Sequence, residues 1–191
     1  LSNVNLNDGG TGPDTDPGHA QPREQWFRKD AAFDATIAER FGALIEQALG
    51  GGLEAWAEQP ASALARVIVL DQFTRNAFRD TARAFAGDTR ALAAARRMVH
   101  DGTDRRLLPV QRIFVYLPFE HAEDLALQQE ALRLFGQLAA EDPARADLLM
   151  WARKHHDVIA RFGRFPHRNA ALGRTSTDEE SRFLAEPGSR F

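Results

Sequence analysis

Residues 155–169 contain the side chains of this chain that are best suited to chemistry. Histidines and arginines alternate there with phenylalanines, around a glycine at 163 and a proline at 166. Exposed loops are seldom this aromatic and apolar cores are seldom this cationic, so we expect a rigid backbone that presents charge to a specific partner. The planar guanidinium group of arginine is well shaped to bind a carboxylate or a phosphate. The segment therefore predicts a binding site for a small anionic ligand.

The candidate binding residues of this segment all have a polar group that can donate a hydrogen bond. They are His155, Arg161, Arg164, His167, Arg168 and Asn169. No acidic residue follows the first of these arginines until Asp178, so their charges must be balanced from elsewhere. One interpretation is that they neutralise acidic residues across the fold, namely Asp71, Glu120 and Asp124. The other is that they receive an anionic ligand, and both can hold because one arginine can orient another.

A second group of candidates lies in residues 70–79. Asp71 and Arg75 are four residues apart, which places them on one face of a predicted helix together with Leu64 and Ile68. A charge on an apolar face is costly unless it is paired, and this pair can supply its own partner. The pattern therefore predicts either an internal salt bridge or part of a binding site, to which we add Asn76.

The third group lies in residues 116–124. We expect Pro118 to interrupt its helix, which would place Glu120 and His121 near the start of the next one. Acidic residues such as Asp124 are favoured at a helix start by capping alone, but that role does not explain the histidine between them. These side chains could therefore point together into a pocket. His121 and His167 are the candidate acid or base, because imidazole titrates near neutral pH.

Helices must position these groups, since the apolar residues recur with helical period from about residue 24 onward. We expect helices from an Asp30 cap to Gly50, from Pro60, over 88–100, from Pro109, over about 122–140 and from Pro143 to 162. Two overlapping capping boxes, Ser176 with Glu179 and Thr177 with Glu180, predict a short last helix. The buried stripe of the helix after Pro143 should comprise Leu148, Trp151, His155, Ile159 and Phe162. The pattern predicts an all-α domain over residues 21–191, built as a stack of antiparallel helical hairpins. Residues 1–20, rich in Asn, Asp, Gly and Pro, should be flexible or irregular.

Composition excludes several classes of protein. The chain has no cysteine, so disulfides and thiolate chemistry are absent. Its net charge of −3 argues against a nucleic-acid partner or an anionic membrane surface. The longest apolar run, residues 113–119, is far shorter than the roughly 20 residues of a membrane span. We therefore expect a soluble cytoplasmic protein. No His-x-x-x-His spacing occurs, so we expect neither metal nor cofactor and keep a metal-dependent hydrolase only as a third alternative.

Three motifs taken together resemble those of a known family. They are Asp71-Gln72-Phe73 with Arg75-Asn76, Leu117-Pro118-Phe119-Glu120-His121 with Glu123-Asp124, and the run from Arg161-Phe162-Gly163 through Arg168-Asn169 to Ser176-Thr177. The chain resembles, from about residue 24 to 185, the bacterial family known as domain of unknown function 924. The resemblance implies an all-helical fold of the tetratricopeptide-like superfamily, and it implies no biochemical activity.

Two functions remain open from the sequence. The first is a polar site of arginine, histidine and carboxylate side chains that binds a small anionic ligand and could be enzymatic. It requires that the three groups of candidates meet in the fold. The second is a tetratricopeptide-like scaffold for protein interaction, which would grip a peptide or an acidic C-terminus in a wide groove lined by exposed arginines.

Overall fold

The computed structural model describes Arg23, Trp26 and residues 28–189, and the predicted flexible segment 1–20 lies outside these described residues. Every regular element within the described part of the chain is helical, which confirms the all-α class. The α-helices are α1 (Ala31–Leu49), α2 (Pro60–Ile68), α3 (Thr74–Ala77), α4 (Asp88–His100), α5 (Pro109–Glu120), α6 (Leu125–Glu141), α7 (Ala146–Phe162) and α8 (Asp178–Leu184). The tetratricopeptide-like arrangement stays a prediction.

Local sequence signals set several helix ends. The Asp30 carboxylate accepts hydrogen bonds from the amides of residues 32 and 33, at 2.9 and 3.1 Å, and so caps α1. Gly163 ends α7 in a left-handed conformation with φ of 68°, which glycine adopts without strain. Thr177 and Glu180 form the expected capping box before α8. The alternative box from Ser176 does not form, because that hydroxyl accepts a hydrogen bond from Asn169 instead.

The main core surrounds α5, whose residues from Arg112 to Glu120 are all buried. The largest buried side chains here include Tyr116 and Phe135, whose rings meet edge to face with centroids 5.7 Å apart. A helix that is buried on every side can carry polar residues into the interior only where they find partners. Its last residue, Glu120, therefore reaches the centre of the molecule.

The expected break at Pro118 is wrong. Pro118 lies inside α5, which continues to Glu120, and His121 ends this helix instead of beginning the next. A proline within a helix loses one hydrogen bond, but packing on all sides of α5 outweighs this local cost. The next helix starts at Leu125, behind an Asp124 cap, and not near residue 122.

One member of the predicted stripe on α7 is also misplaced. Trp151 is 40% exposed and its ring lies 4.1 Å from the Lys154 ammonium nitrogen, whereas Ala152, His155 and Val158 are buried. The helical period was right, but the apolar face is rotated by about one residue. Pro143 opens a short 3₁₀ turn before α7 instead of the helix itself. Within the described residues, no helix combines the length and the apolar character that crossing a membrane requires.

A π-helical turn, Val69–Phe73, joins α2 to α3 and packs against α4. The contact is close because Gly87, the residue before α4, has no side chain. A Cβ atom placed there would lie 2.0 Å from the backbone oxygen of Leu70. The close approach brings Asp88, the first residue of α4, within hydrogen-bonding distance of Arg75 in α3.

We expect Gly87→Ala to destabilise the protein by about 3 kcal/mol or more, because the new methyl group would collide with rigid backbone. The conformation of residue 87 (φ −88°, ψ −12°) is open to alanine, so the collision alone is tested. Gly136→Ala in α6 is the matched control: its Cβ would meet nothing within 4 Å, and it should stabilise by about 0.5–1 kcal/mol. Urea unfolding measures both changes, and equal stabilities of the two variants would contradict the close contact.

Candidate functional site

Candidates from all three sequence groups meet in the interior, together with one residue that the sequence did not single out. We call this set the polar cluster. It consists of Asp71, Arg75, Asp88, Glu120, His121, His155, His167 and Arg168. The π turn, α3, α4, the end of α5, α7 and the 3₁₀ turn Pro166–Arg168 each contribute to it. The condition that the three groups should converge is therefore met for these residues.

Asp71 and Arg75 form the centre of the polar cluster. Asp71 is 1% exposed, and its Oδ1 lies 3.1 Å from Nη1 of Arg75. The same guanidinium donates to both carboxylate oxygens of Asp88, at 2.8 and 3.1 Å. Burial by itself would raise the pKa of Asp71, but the charge of Arg75 and the hydrogen bond from His121 outweigh burial and hold this pKa well below its ordinary range. The Asp71 carboxylate is therefore ionised at neutral pH.

His121 is oriented by this carboxylate. Its Nδ1 lies 2.8 Å from Oδ1 of Asp71. An ionised carboxylate can only accept hydrogen bonds, so Nδ1 carries the proton and the lone pair of the neutral ring lies on Nε2. Burial and the charge of Arg75 lower the pKa of His121, against the opposing effect of Asp71. The ring is therefore a neutral base near pH 7, held in one tautomer.

Glu120 and His155 form a second carboxyl–imidazole contact with the opposite protonation. Glu120 is 4% exposed, and burial together with the charge of Asp71 raises its pKa to about 8. Nδ1 of His155 lies 3.0 Å from Oε1 of Glu120 and 3.0 Å from the Trp151 carbonyl oxygen, which can only accept. Burial lowers the pKa of His155 to about 3. Despite the short distance, this contact joins two neutral groups and is not an ion pair.

Arg168 lies between two aromatic rings, with its Cζ 4.5 Å from the centroid of Phe165 and 4.8 Å from that of Phe85. Arg168 is 6% exposed, and burial together with the charge of Arg75 lowers the pKa of its guanidinium to about 10. The guanidinium has one long contact, 3.4 Å from Nη1 to Asp88, and the buried Nε has no hydrogen-bond partner. Of the two arginines in the polar cluster, Arg168 is the one with a buried N–H group that no acceptor of the protein satisfies.

His167 connects the polar cluster to the surface. Burial and the charge of Arg168 lower its pKa to about 4, and its ring lies 5.5 Å from the ring of Phe165. It also lines a cavity of ≈ 220 Å³ whose walls are Asp80, Pro166, His167, Ala170, Ala171, Ser176 and Leu184. Within the residues that the structure describes, no group of three histidine or acidic side chains is arranged to hold a metal ion.

The other predicted site residues lie outside the polar cluster and have structural contacts. Arg164 donates to both carboxylate oxygens of Glu180, at 2.6 and 2.8 Å, and Arg161 donates to Glu179 at 2.9 Å. Asn169 donates to Ser176. These bonds fasten α8 and the segment before it to the end of α7.

Asn76 donates to Asp34 of α1 at 2.7 Å, and Asp124 caps α6. The arginines that follow α7 were expected to neutralise Asp71, Glu120 and Asp124, and this pairing is wrong. Their acidic partners are Glu179 and Glu180, Glu123 for Arg174, and Asp88 for Arg168. Asp88 escaped the sequence analysis because an acidic residue at a helix start is explained by the helix dipole alone.

The fold and the polar cluster define an all-helical protein with a buried site of arginine, histidine and carboxylate groups. The chain matches the family described as bacterial protein of unknown function (DUF924) over residues 13–188, and it belongs to this family. It is similar to the solved structure of a protein of unknown function from Agrobacterium tumefaciens, with 42% identity and a TM-score of 0.78. The similarity covers 87% of this chain and 90% of that one. A search of curated proteins found no match.

We expect Glu120 to make stability fall by about 1 kcal/mol per pH unit between pH 7 and 8. In this window folded Glu120 keeps a proton that the unfolded chain, with an ordinary value of 4.5, has released. The stabilising effect of a raised pKa is lost as the pH rises through the folded value and levels off above about 8. His121, His155 and His167 have lowered pKa values, and because the unfolded imidazole has an ordinary value of 6.5, they oppose this slope increasingly as the pH falls below about 7.5.

Urea unfolding at pH 6.5, 7, 7.5 and 8 measures this slope. Glu120→Gln should remove it, since the amide stays neutral in both states, whereas the exposed control Glu179→Gln should leave it unchanged. A slope that persists in Glu120→Gln would mean that this carboxyl is already ionised in the folded protein.

Proposed function

We propose that the protein binds a small carboxylate or phosphate at the guanidinium group of Arg168. The observation that carries the proposal is the incomplete hydrogen bonding of Arg168. This side chain is buried between Phe85 and Phe165, yet it has only the 3.4 Å contact with Asp88 and an Nε without an acceptor. Buried polar groups are nearly always paired, and an unmet donor costs about 1–3 kcal/mol. An anionic group on Arg168 would remove that cost.

The charges around Arg168 favour an anion over a neutral ligand. Asp88 is the carboxylate that the guanidiniums of Arg75 and Arg168 share, and its two short bonds go to Arg75. Arg168 therefore has a positive charge that its long contact balances poorly. The Asp88 side chain is 27% exposed, so the cluster is open to solvent on this side. A ligand that approaches here would meet a flat guanidinium fixed by aromatic rings, in surroundings where charge–charge attraction is strong.

The scaffold hypothesis has no specific observation in its favour. It needs arginines that are available to a peptide, but Arg161 and Arg164 pair with acidic residues of α8. The alternative is a purely structural role, in which the polar cluster only holds the helices together. That role accounts for Asp71, Arg75 and Asp88, whose contacts are short, but it does not account for the unmet donor of Arg168. The cytoplasmic location expected from the sequence stays a prediction.

Thermal unfolding in the presence of inorganic phosphate, acetate, succinate or citrate at constant ionic strength tests this proposal. A bound ligand at 100 times its Kd should stabilise the wild type by about 2.7 kcal/mol, a rise in Tm of roughly 5–10 °C. Arg168→Met keeps much of the side-chain volume and should lose this response, measured against its own Tm without ligand. Arg161→Met, on the surface, should keep it.

Arg168→Lys separates a shaped site from a mere excess of charge. Lysine keeps the positive charge but lacks the planar set of donors, so we expect affinity to fall at least tenfold. A wild type that responds to none of these anions, or a response that Arg168→Met retains in full, would contradict the proposal.

A further inference from the structure

Two groups of the polar cluster that contains Arg168 have different protonation states at neutral pH. His121 is a neutral imidazole whose lone pair is on Nε2, and Glu120 is a carboxyl group that keeps its proton at neutral pH. We propose that the polar cluster catalyses proton transfer on the bound anion, with His121 as the general base and Glu120 as the general acid. This inference rests on the proposed function, since Arg168 would hold the substrate.

Asp71 and Arg75 hold His121 in the form that can accept a proton on Nε2. Asp71 fixes the tautomer of His121 through the 2.8 Å bond to Nδ1, and Arg75 fixes Asp71 in turn. Asp71 is therefore a positioning residue: it touches the imidazole and not the substrate. A carboxylate behind an imidazole also stabilises the imidazolium that forms when the ring accepts a proton. The cluster thus favours the charge that the reaction would create.

The acid is prepared by the same carboxylate. Glu120 is adjacent to His121 in the chain, and the negative charge of Asp71 together with burial keeps the Glu120 proton in place. His155 contacts the Glu120 carboxyl, and its ring centroid lies 6.3 Å from that of His121. Two carboxyl groups of one cluster, Asp71 and Glu120, therefore have pKa values shifted in opposite directions. As a result, Glu120 keeps its proton at neutral pH while His121 beside it in the chain does not, and such a difference is the usual sign of an acid and a base that work at the same pH.

The chemistry of these groups points to enolisation of a small carbonyl compound that also bears a carboxylate or a phosphate. Nε2 of His121 takes a proton from the carbon next to the carbonyl, and the C–H electron pair becomes the carbon–carbon double bond. The carbonyl oxygen receives the proton of Glu120 as its π electrons move onto it. The product is an enol, with an imidazolium and a carboxylate left on the protein. Return of both protons restores the carbonyl and both side chains.

Limited access of water supports this choice over hydrolysis. Asp71 and Glu120 are almost fully buried, and the rings of Phe85 and Phe165 lie on the two sides of the arginine that would hold the substrate. A reaction that consumes no water suits carboxyl groups this deeply buried, since charge interactions are stronger where little water surrounds them. Enolisation needs only the two protons that His121 and Glu120 exchange.

Deuterium exchange from D₂O, followed by ¹H NMR, detects the first step directly. The two probes are 2-oxobutyrate, which bears a carboxylate, and dihydroxyacetone phosphate, which bears a phosphate. We expect the wild type to exchange the C–H protons next to the carbonyl of at least one probe faster than a blank without protein. His121→Gln and Glu120→Gln should each lower the rate at least 100-fold. His156→Gln, a histidine nearer the surface of α7, should exchange like the wild type.

Two further readouts separate catalysis from structure. The exchange rate should fall above about pH 8, where Glu120 loses its proton, and this fall should be absent from the blank. Asp71→Asn should lower the exchange rate more than it lowers the affinity for the probe, because the change removes the bond that fixes the tautomer of His121 but leaves the contact of Arg168 with Asp88 in place. His121→Gln should keep the anion-dependent rise in Tm, which also shows that this variant is folded.

The outcomes distinguish this inference from the binding proposal. If a probe stabilises the protein through Arg168 but its protons do not exchange above the blank, the catalytic inference is overturned and the binding proposal stands. Exchange that persists in His121→Gln overturns it as well. If neither the simple anions nor the probes bind, both proposals fail together.

Discussion

The ion pair between Asp71 and Arg75 is the interaction on which the rest of the interior depends. A carboxylate that is 1% exposed would cost several kcal/mol without a partner, so the fold must deliver positive charge and hydrogen-bond donors to it. Arg75 does so from the next helical turn, and it extends the network to Asp88 of α4. His121 does so from the end of α5. One buried charge thus fixes the relative positions of the π turn, α4 and α5.

The same charge explains the protonation of the groups around it. Arg75 is already paired with Asp71 and Asp88, so an ionised Glu120 would add a second negative charge near Asp71 in a poorly solvated place. Burial and the repulsion from Asp71 therefore keep its proton on. The neighbouring imidazoles also stay neutral. Burial disfavours their charged form, and the positive charges of Arg75 and Arg168 repel an added proton. The result is a set of neutral imidazole and carboxyl groups around the ion pair of Asp71 and Arg75.

Features set by neighbours in the chain could be predicted from the sequence, and features set across the fold could not. The Asp30 cap, the left-handed Gly163 and the Asp71–Arg75 pair each involve residues a few positions apart, so spacing and residue type predict them. The predictions for Pro118 and Trp151 were wrong, because packing decides whether a helix tolerates a proline and which of its faces is buried. The bond of Arg168 to a carboxylate 80 residues earlier has no local signal at all.

The segment that predicted a site from the sequence contains two kinds of arginine, and their contacts separate them. Arg164 forms two short bonds with one carboxylate and a third with a backbone carbonyl, so its donors are used and its role is to hold α8. Arg168, four residues on, has one long contact and an unmatched Nε. Sequence treats these two residues as equivalent because both lie among phenylalanines and histidines. What marks an arginine for a ligand is therefore the number of its donors that the protein leaves unsatisfied, and this number depends on acidic residues far away in the chain.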